Sequence, residues 1–140
     1  MTIEEKKNKL INNLKLIDDP MERLSYIISK GKKRPEIDNS LKIDAFKIEG
    51  CVSNLWIIPK LEEGKCFYNC DADAAITKGV ASLLCDFYSG FSPDDILSID
   101  PSFLADAGVT QHISPNRSNG LANAGRAMMQ FAISCQKKSS

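Results

Sequence analysis

The sequence predicts an α+β fold: a small antiparallel three-stranded sheet flanked by helices. Three observations lead there. Apolar residues recur at helical spacing toward both ends of the chain. Between about residues 45 and 70, β-favouring residues alternate or run together. Glycine or proline marks nearly every change of pattern. Helices, then a strand meander, then helices make one layered unit rather than an alternating βαβ array. At 140 residues, the chain is expected to form one domain (1–140), with a core over about 20–136 and an N-terminal helix over about 3–17.

Each element has a local reason. Thr2-Ile3-Glu4-Glu5 reads as a capping box, and Leu10, Leu14 and Ile17 supply one apolar face behind it. Asp19 then Pro20 opens a second helix with Leu24, Ile27 and Ile28 inward, and Gly31 fits its C-terminal cap. The basic run Lys30-Gly31-Lys32-Lys33-Arg34 fits a solvated helix end. Strands are expected over about 45–49, 54–60 and 65–70, with Pro59 closing the second and Leu61-Glu62-Glu63-Gly64 forming a hairpin loop. Asp71 and Asp73 are placed to cap a helix from Ala74 to about Ser89, whose Ile76, Val80, Leu83, Leu84 and Phe87 face inward. Gly79 in mid-helix costs about 1 kcal/mol relative to alanine and implies close approach of another backbone. Ser92-Pro93 and Asp100-Pro101 open two short helices. Ser114-Pro115 opens the last helix, which runs to about Gln136 with Leu121, Ala124, Met128, Phe131 and Ala132 inward.

Composition excludes several function classes. Eighteen basic side chains balance eighteen acidic ones, which argues against a nucleic-acid binder. No apolar run is long enough for a transmembrane helix. The charged N-terminus lacks a signal-peptide core, so a cytoplasmic protein without membrane contact is expected. The five cysteines, Cys51, Cys66, Cys70, Cys85 and Cys135, are odd in number and irregular in spacing. That pattern reads as reduced thiols and not as a disulfide framework.

Sites with recognisable spacing are few. Cys66 and Cys70 share a predicted strand, which separates them by roughly 13 Å at about 3.3 Å per residue. Two thiolates on one zinc, each about 2.3 Å from the metal, do not fit that spacing, so no metal site is expected. No P-loop, dinucleotide fingerprint or nucleophile elbow occurs. A thiol nucleophile remains. Cys66, Cys70 and Cys85 sit where cysteine is usually a small buried apolar residue, and Cys135 lies near a fraying terminus. Cys51 instead follows Gly50 between two predicted strands. A glycine-led turn between rigid elements would hold a thiol in place and leave it accessible. Its reactive form is the thiolate, which a nearby cation favours. Lys47, His112 and Arg117 are candidates that sequence alone does not place.

These residues resemble a known family. Gly50-Cys51-x-Ser53-x-x-Trp56 comes first, then Asp71-x-Asp73-Ala74-Ala75-Ile76-x-x-Gly79. Tyr88-Ser89-Gly90-x-Ser92-Pro93-x-Asp95-Ile96-Leu97 follows, and then Gln111-His112-Ile113-Ser114-Pro115-x-Arg117-Ser118-x-Gly120-Leu121. Together the four ordered blocks resemble the SufE family, sulfur acceptors of iron–sulfur cluster assembly, over roughly residues 20–133. The resemblance implies a fold shared with IscU-type scaffolds. It implies that Cys51 takes persulfide sulfur from a pyridoxal-phosphate cysteine desulfurase of the SufS type, stimulates that enzyme, and passes sulfur to an iron–sulfur scaffold complex. Pyridoxal phosphate would then belong to the partner, with no cofactor on this chain and no turnover without the desulfurase.

Gly50 would let the Cys51 loop flip, so that the thiol tucks toward apolar neighbours until a partner docks. Gly50, Ser53, Asp73, His112 and Arg117 are the supporting or partner-binding candidates. Arg117 either stabilises the thiolate, contacts the partner, or is an exposed helix-start residue. His112 reads as a hydrogen-bonded structural histidine and Trp56 as sheet packing. The alternatives are an IscU-type cluster scaffold, which needs several converging cysteines, a sulfur carrier for another thio-cofactor pathway, or a hydrolase pairing Cys51 with His112. Homodimerisation is left open.

Overall fold

The computed structural model describes residues 1–139. Its first two helices, α1 (Ile3–Lys15) and α2 (Pro20–Lys32), start as their sequences direct. Thr2 and Glu5 form a reciprocal capping box, and the Asp19 carboxylate accepts from the Met21 amide at 3.0 Å. One residue ties this pair to the rest. Arg23 is buried, and its guanidinium donates to the carbonyls of Leu14 (2.9 Å), Ile17 (2.7 Å) and Gly108 (3.1 Å). Two of those carbonyls lie at the C-terminal end of α1, where the dipole favours a cation.

Gly31 corrects an expectation. It lies inside α2 and not at its cap, which is Lys33. Its Cα faces α3 (Ala75–Tyr88) so closely that an added Cβ would sit 2.5 Å from the Gly79 Cα. A Cβ on Gly79 would likewise sit 3.0 Å from the Ile28 Cα. The close backbone approach expected at Gly79 is therefore present, and Gly31 is its other half.

The sheet has two strands, β1 (Leu55–Glu62) and β2 (Lys65–Ala72), paired antiparallel from Leu55↔Ala72 to Glu62↔Lys65. The expected first strand, about 45–49, is reduced to a bridge of Lys47 to Trp56, with Ile57 N–H donating to Phe46 O and Ile48 N–H to Leu55 O. The chain enters this bridge from turns closed by Phe46 N–H to Ile43 O and Lys47 N–H to Asp44 O, so no longer ladder develops. The hairpin loop is tighter than expected. Only Glu63 (φ 51°) and Gly64 (φ 77°) lie outside the ladder, both left-handed, as a two-residue turn that continues the strand twist.

Pro59 does not end β1; it pairs with Tyr68 inside it. The Tyr68 backbone turns the other way, its N–H donating to Ser89 Oγ at 2.9 Å and its carbonyl accepting from that hydroxyl. Ile57 N–H already points to the outer edge, and residue 59, two along, points the same way. The missing proline N–H therefore costs no ladder bond.

Helix α3 crosses the buried face of β2 and packs along α2. Neither expected aspartate caps it: Ala74 holds the cap position without a side-chain bond. Asp71 is instead buried. Its carboxylate accepts from the amides of Ile37 (3.1 Å) and Ala72 (2.9 Å) and pairs with Lys78 at 3.2 Å. Burial alone would push the Asp71 carboxyl up, but the two amides and the Lys78 ammonium outweigh it and hold it below the ordinary carboxylate range.

Two short helices follow, α4 (Pro93–Leu97), capped by Ser92, and α5 (Phe103–Asp106). Asp100 does not open α5 directly; it accepts from the Ser102 amide, and the helix begins one residue later. Helix α6 (Pro115–Ser139) closes the core, with Leu121, Ala124, Met128 and Ala132 buried as expected. Cys135, expected near a fraying end, is buried as well. Trp56 packs in the sheet with the Lys42 ammonium over its ring. Among the described residues no helix is long and apolar enough to cross a membrane.

Candidate functional site: a thiol on a glycine turn

The five thiols fall into two environments, and none is in a disulfide. Cys66 and Cys70 lie on the inward face of β2, Cys85 on α3 and Cys135 on α6, all at 2 % exposure or less. Burial, with Cys135 alongside, pushes the Cys66 thiol up to about 12. The hydrogen bond with Cys70, together with burial, pushes Cys85 well above the ordinary thiol range. Thiols raised in this way stay protonated and unreactive. The hydrogen bond with Cys85, helped by Ser82, instead holds the Cys70 thiol below the ordinary range, and full burial is what keeps it from reagents.

Cys51 differs. It is half-buried on the turn between the Lys47–Trp56 bridge and β1 and rests against the edge of the core. The turn needs its glycine: Gly50 has φ +78°, a conformation that side chains rarely adopt. Asp44, Lys47, Ile48, Glu49, Gly50 and Cys51 line an open depression of about 440 Å³. Val52, the next residue, is exposed.

The thiol lies over the first turns of α6. A Cβ built on Gly120 would meet Cys51 Sγ at 2.6 Å and Cys51 Cβ at 2.9 Å. Glycine at 120 is thus a seat for the cysteine side chain. Three residues on, Asn123 Nδ2 donates to the Glu49 carbonyl at 2.8 Å, and Asn123 Oδ1 accepts from the Arg126 guanidinium. Sequence reasoning misses Gly120 as a seat and misses Asn123 and Arg126 altogether. An isolated glycine in a helical pattern is the available signal for the first.

The sequence-derived candidates fare unevenly. Gly50, Cys51 and Ser53 share the turn, and the Ser53 hydroxyl is buried without a hydrogen-bond partner among the described residues. Asp73 supports the far end: its carboxylate accepts from Asn54 Nδ2 at 2.9 Å, and its N–H donates to the Asn54 carbonyl at 3.0 Å. Arg117 reaches the buried Thr77 hydroxyl at 3.4 Å, and its amide sits 3.4 Å from Ser114 Oγ. The His112 side chain is exposed and makes no hydrogen bond among the described residues, contrary to its expected structural role. Lys47 is the candidate cation that shares the depression with Cys51. Among the described residues no three histidine, cysteine, aspartate or glutamate side chains converge on a common point that would suit a metal.

Fold and site together define the class: a small α+β domain that presents one thiol at its surface and buries the others. Residues 8–132 match the family model described as SufE, Fe–S metabolism associated domain. An uncharacterized SufE-like protein of Synechocystis is 34 % identical over 91 % of this chain and 80 % of its own length. The chloroplastic/mitochondrial SufE-like protein 1 of Arabidopsis thaliana is 35 % identical over 97 % of this chain, which spans 38 % of that longer protein. The solution structure of a hypothetical protein from Thermus thermophilus superposes with a TM-score of 0.78 at 19 % identity, covering 94 % of this chain and 96 % of that one. It shares the fold. The chain belongs to the SufE family and carries its Fe–S metabolism domain.

Proposed function

We propose that this protein accepts sulfur on Cys51 from the persulfide of a cysteine desulfurase and delivers it to iron–sulfur cluster assembly. The observation that carries the reading is the contrast among the thiols. Cys51 alone of the five is partly exposed, on a glycine turn beside an open depression.

The chemistry is an exchange between sulfurs. The Cys51 thiolate attacks the outer sulfur of the desulfurase persulfide. A new S–S bond forms to Cys51 while the old one breaks, and the desulfurase cysteine leaves as its thiolate. Sulfur moves at an unchanged total oxidation level, so no outside oxidant is needed. A second exchange hands the outer sulfur to a thiolate of the receiving scaffold. Pyridoxal phosphate resides on the desulfurase and releases the sulfur from free cysteine there. Clearing the desulfurase persulfide would speed that enzyme's next turnover.

Intact-protein mass spectrometry tests this after incubation with a cysteine desulfurase, pyridoxal phosphate and free cysteine. The wild type is expected to gain one reductant-labile sulfur and to accelerate sulfide release, while Cys51→Ala does neither. Equal sulfur gain by Cys51→Ala would sink the assignment.

A further inference from the structure

We propose that Asn123 is a positioning residue that holds the Cys51 turn closed on α6, so that one side-chain hydrogen bond sets how often the thiol is presented. The inference deepens the sulfur-acceptor reading, and its functional meaning rests on that reading.

The turn is anchored at both ends by backbone. Ile48 N–H donates to Leu55 O at 2.8 Å, and Asp73 N–H donates to Asn54 O at 3.0 Å. Between those anchors, the bond from Asn123 Nδ2 to the Glu49 carbonyl is the only side-chain hydrogen bond made to residues 49–53 among the described residues. The carboxamide is not free to turn over. A guanidinium only donates, so Arg126 holds Asn123 Oδ1 toward itself and leaves Nδ2 facing Glu49.

Shape reinforces the fit. A Cβ on Gly50 would lie 2.6 Å from Asn123 Nδ2, so the carboxamide occupies the space that glycine vacates. One helical turn earlier, Gly120 receives the Cys51 side chain.

The closed arrangement also carries a cost. The buried Ser53 hydroxyl has no partner among the described residues, and opening the turn would return it to water. That cost offsets part of what the Asn123 bond contributes, so loss of the bond is expected to move the balance measurably. A desulfurase that competes for the Glu49 carbonyl, or draws Asn123 away, would release the thiol toward itself.

The test is site-resolved alkylation of the full chain by iodoacetamide, with no desulfurase present. Asn123→Ala and Asn123→Asp are compared with wild type. Aspartate keeps the size and the Arg126 partner but cannot donate to Glu49. Both variants are expected to raise the Cys51 labelling rate about fivefold, the weight of one neutral hydrogen bond in an open–closed equilibrium. Cys66, Cys70, Cys85 and Cys135 serve as internal monitors and should stay unlabelled. A Cys51 rate within about twofold of wild type in Asn123→Asp overturns the proposal. So does a rise matched by the buried thiols, which would report general loosening. The two readings fail separately: labelling needs no sulfur donor, and sulfur uptake by wild type does not depend on Asn123 being the latch.

Discussion

Glycine serves two opposite purposes in this molecule. At the α2–α3 crossing, Gly31 and Gly79 let two backbones touch, with an added Cβ on Gly31 falling 2.5 Å from the Gly79 Cα. At the α6 crossing, Gly120 lets a side chain approach a backbone, with an added Cβ falling 2.6 Å from Cys51 Sγ. The distances are nearly equal, yet the neighbours differ in their ability to move. Backbone in the middle of a packed helix has nowhere to go. A cysteine on a turn held by one side-chain bond can swing aside. Similar geometry therefore locks two helices in one place and, under the latch proposal, leaves room for a turn to lift in the other. The cysteines divide the same way, four sealed into the core and one half-buried on the turn.

Gly31→Ala breaks the rigid member of the comparison and should have the largest effect on stability. Alanine brings a helix-propensity gain of about 1 kcal/mol. Forcing α2 from α3 outweighs it, for an expected net loss of about 2 kcal/mol. Urea unfolding measures this, and a variant as stable as wild type would show that the crossing can yield.

Asp71→Asn comes next, because Asp71 sits at the junction between the two regions, one pair along the ladder from Leu55. An amide keeps the shape but weakens the bonds to Ile37 and Ala72 and gives up the pairing with Lys78. The expected loss at neutral pH is about 1–2 kcal/mol. The sign of its pH dependence follows from the lowered carboxyl. The stabilisation is complete above the unfolded-state value of about 3.9, and it is lost as pH falls through the lower folded-state value. Unfolding midpoints below about pH 4 should therefore fall more steeply for wild type than for Asp71→Asn. Parallel curves would remove Asp71 as the source of that acid sensitivity.

Local signals are enough for much of the fold. Caps and apolar periods place α1, α2, α3 and α6 to within a few residues, because helix boundaries are written in neighbouring side chains. Three of the misreadings share one cause. Whether Pro59 ends a strand depends on which way residue 59 points in a ladder, and that is settled by pairing with Tyr68. Gly31 reads as a cap until Gly79 is known to face it. Asp71 reads as a cap until Ile37 and Lys78 arrive from elsewhere.

The site divides along the same line. Gly50-Cys51 stands out because a glycine-led turn is local. Asn123 does not, because its partner, the Glu49 carbonyl, lies 74 residues away. No periodicity connects the two.

Gly120→Ala sharpens the comparison most, though its effect on stability should be the smallest. The substitution adds to α6 the same methyl that Gly31→Ala adds to α2. In α6 the methyl meets Cys51 at Sγ, Cβ and Cα, at 2.6, 2.9 and 3.0 Å. The turn must lift, and the contact it loses is that of one half-buried side chain. Helix propensity returns about 1 kcal/mol, so the net change in unfolding free energy should lie within about 1 kcal/mol of zero. The displaced thiol should then be alkylated several-fold faster than in wild type, while the four buried thiols remain protected. If Gly120→Ala instead destabilises the fold as much as Gly31→Ala, the Cys51 turn is part of the rigid core. Presentation of the thiol would then require unfolding α6 from the sheet, and not the lifting of a turn.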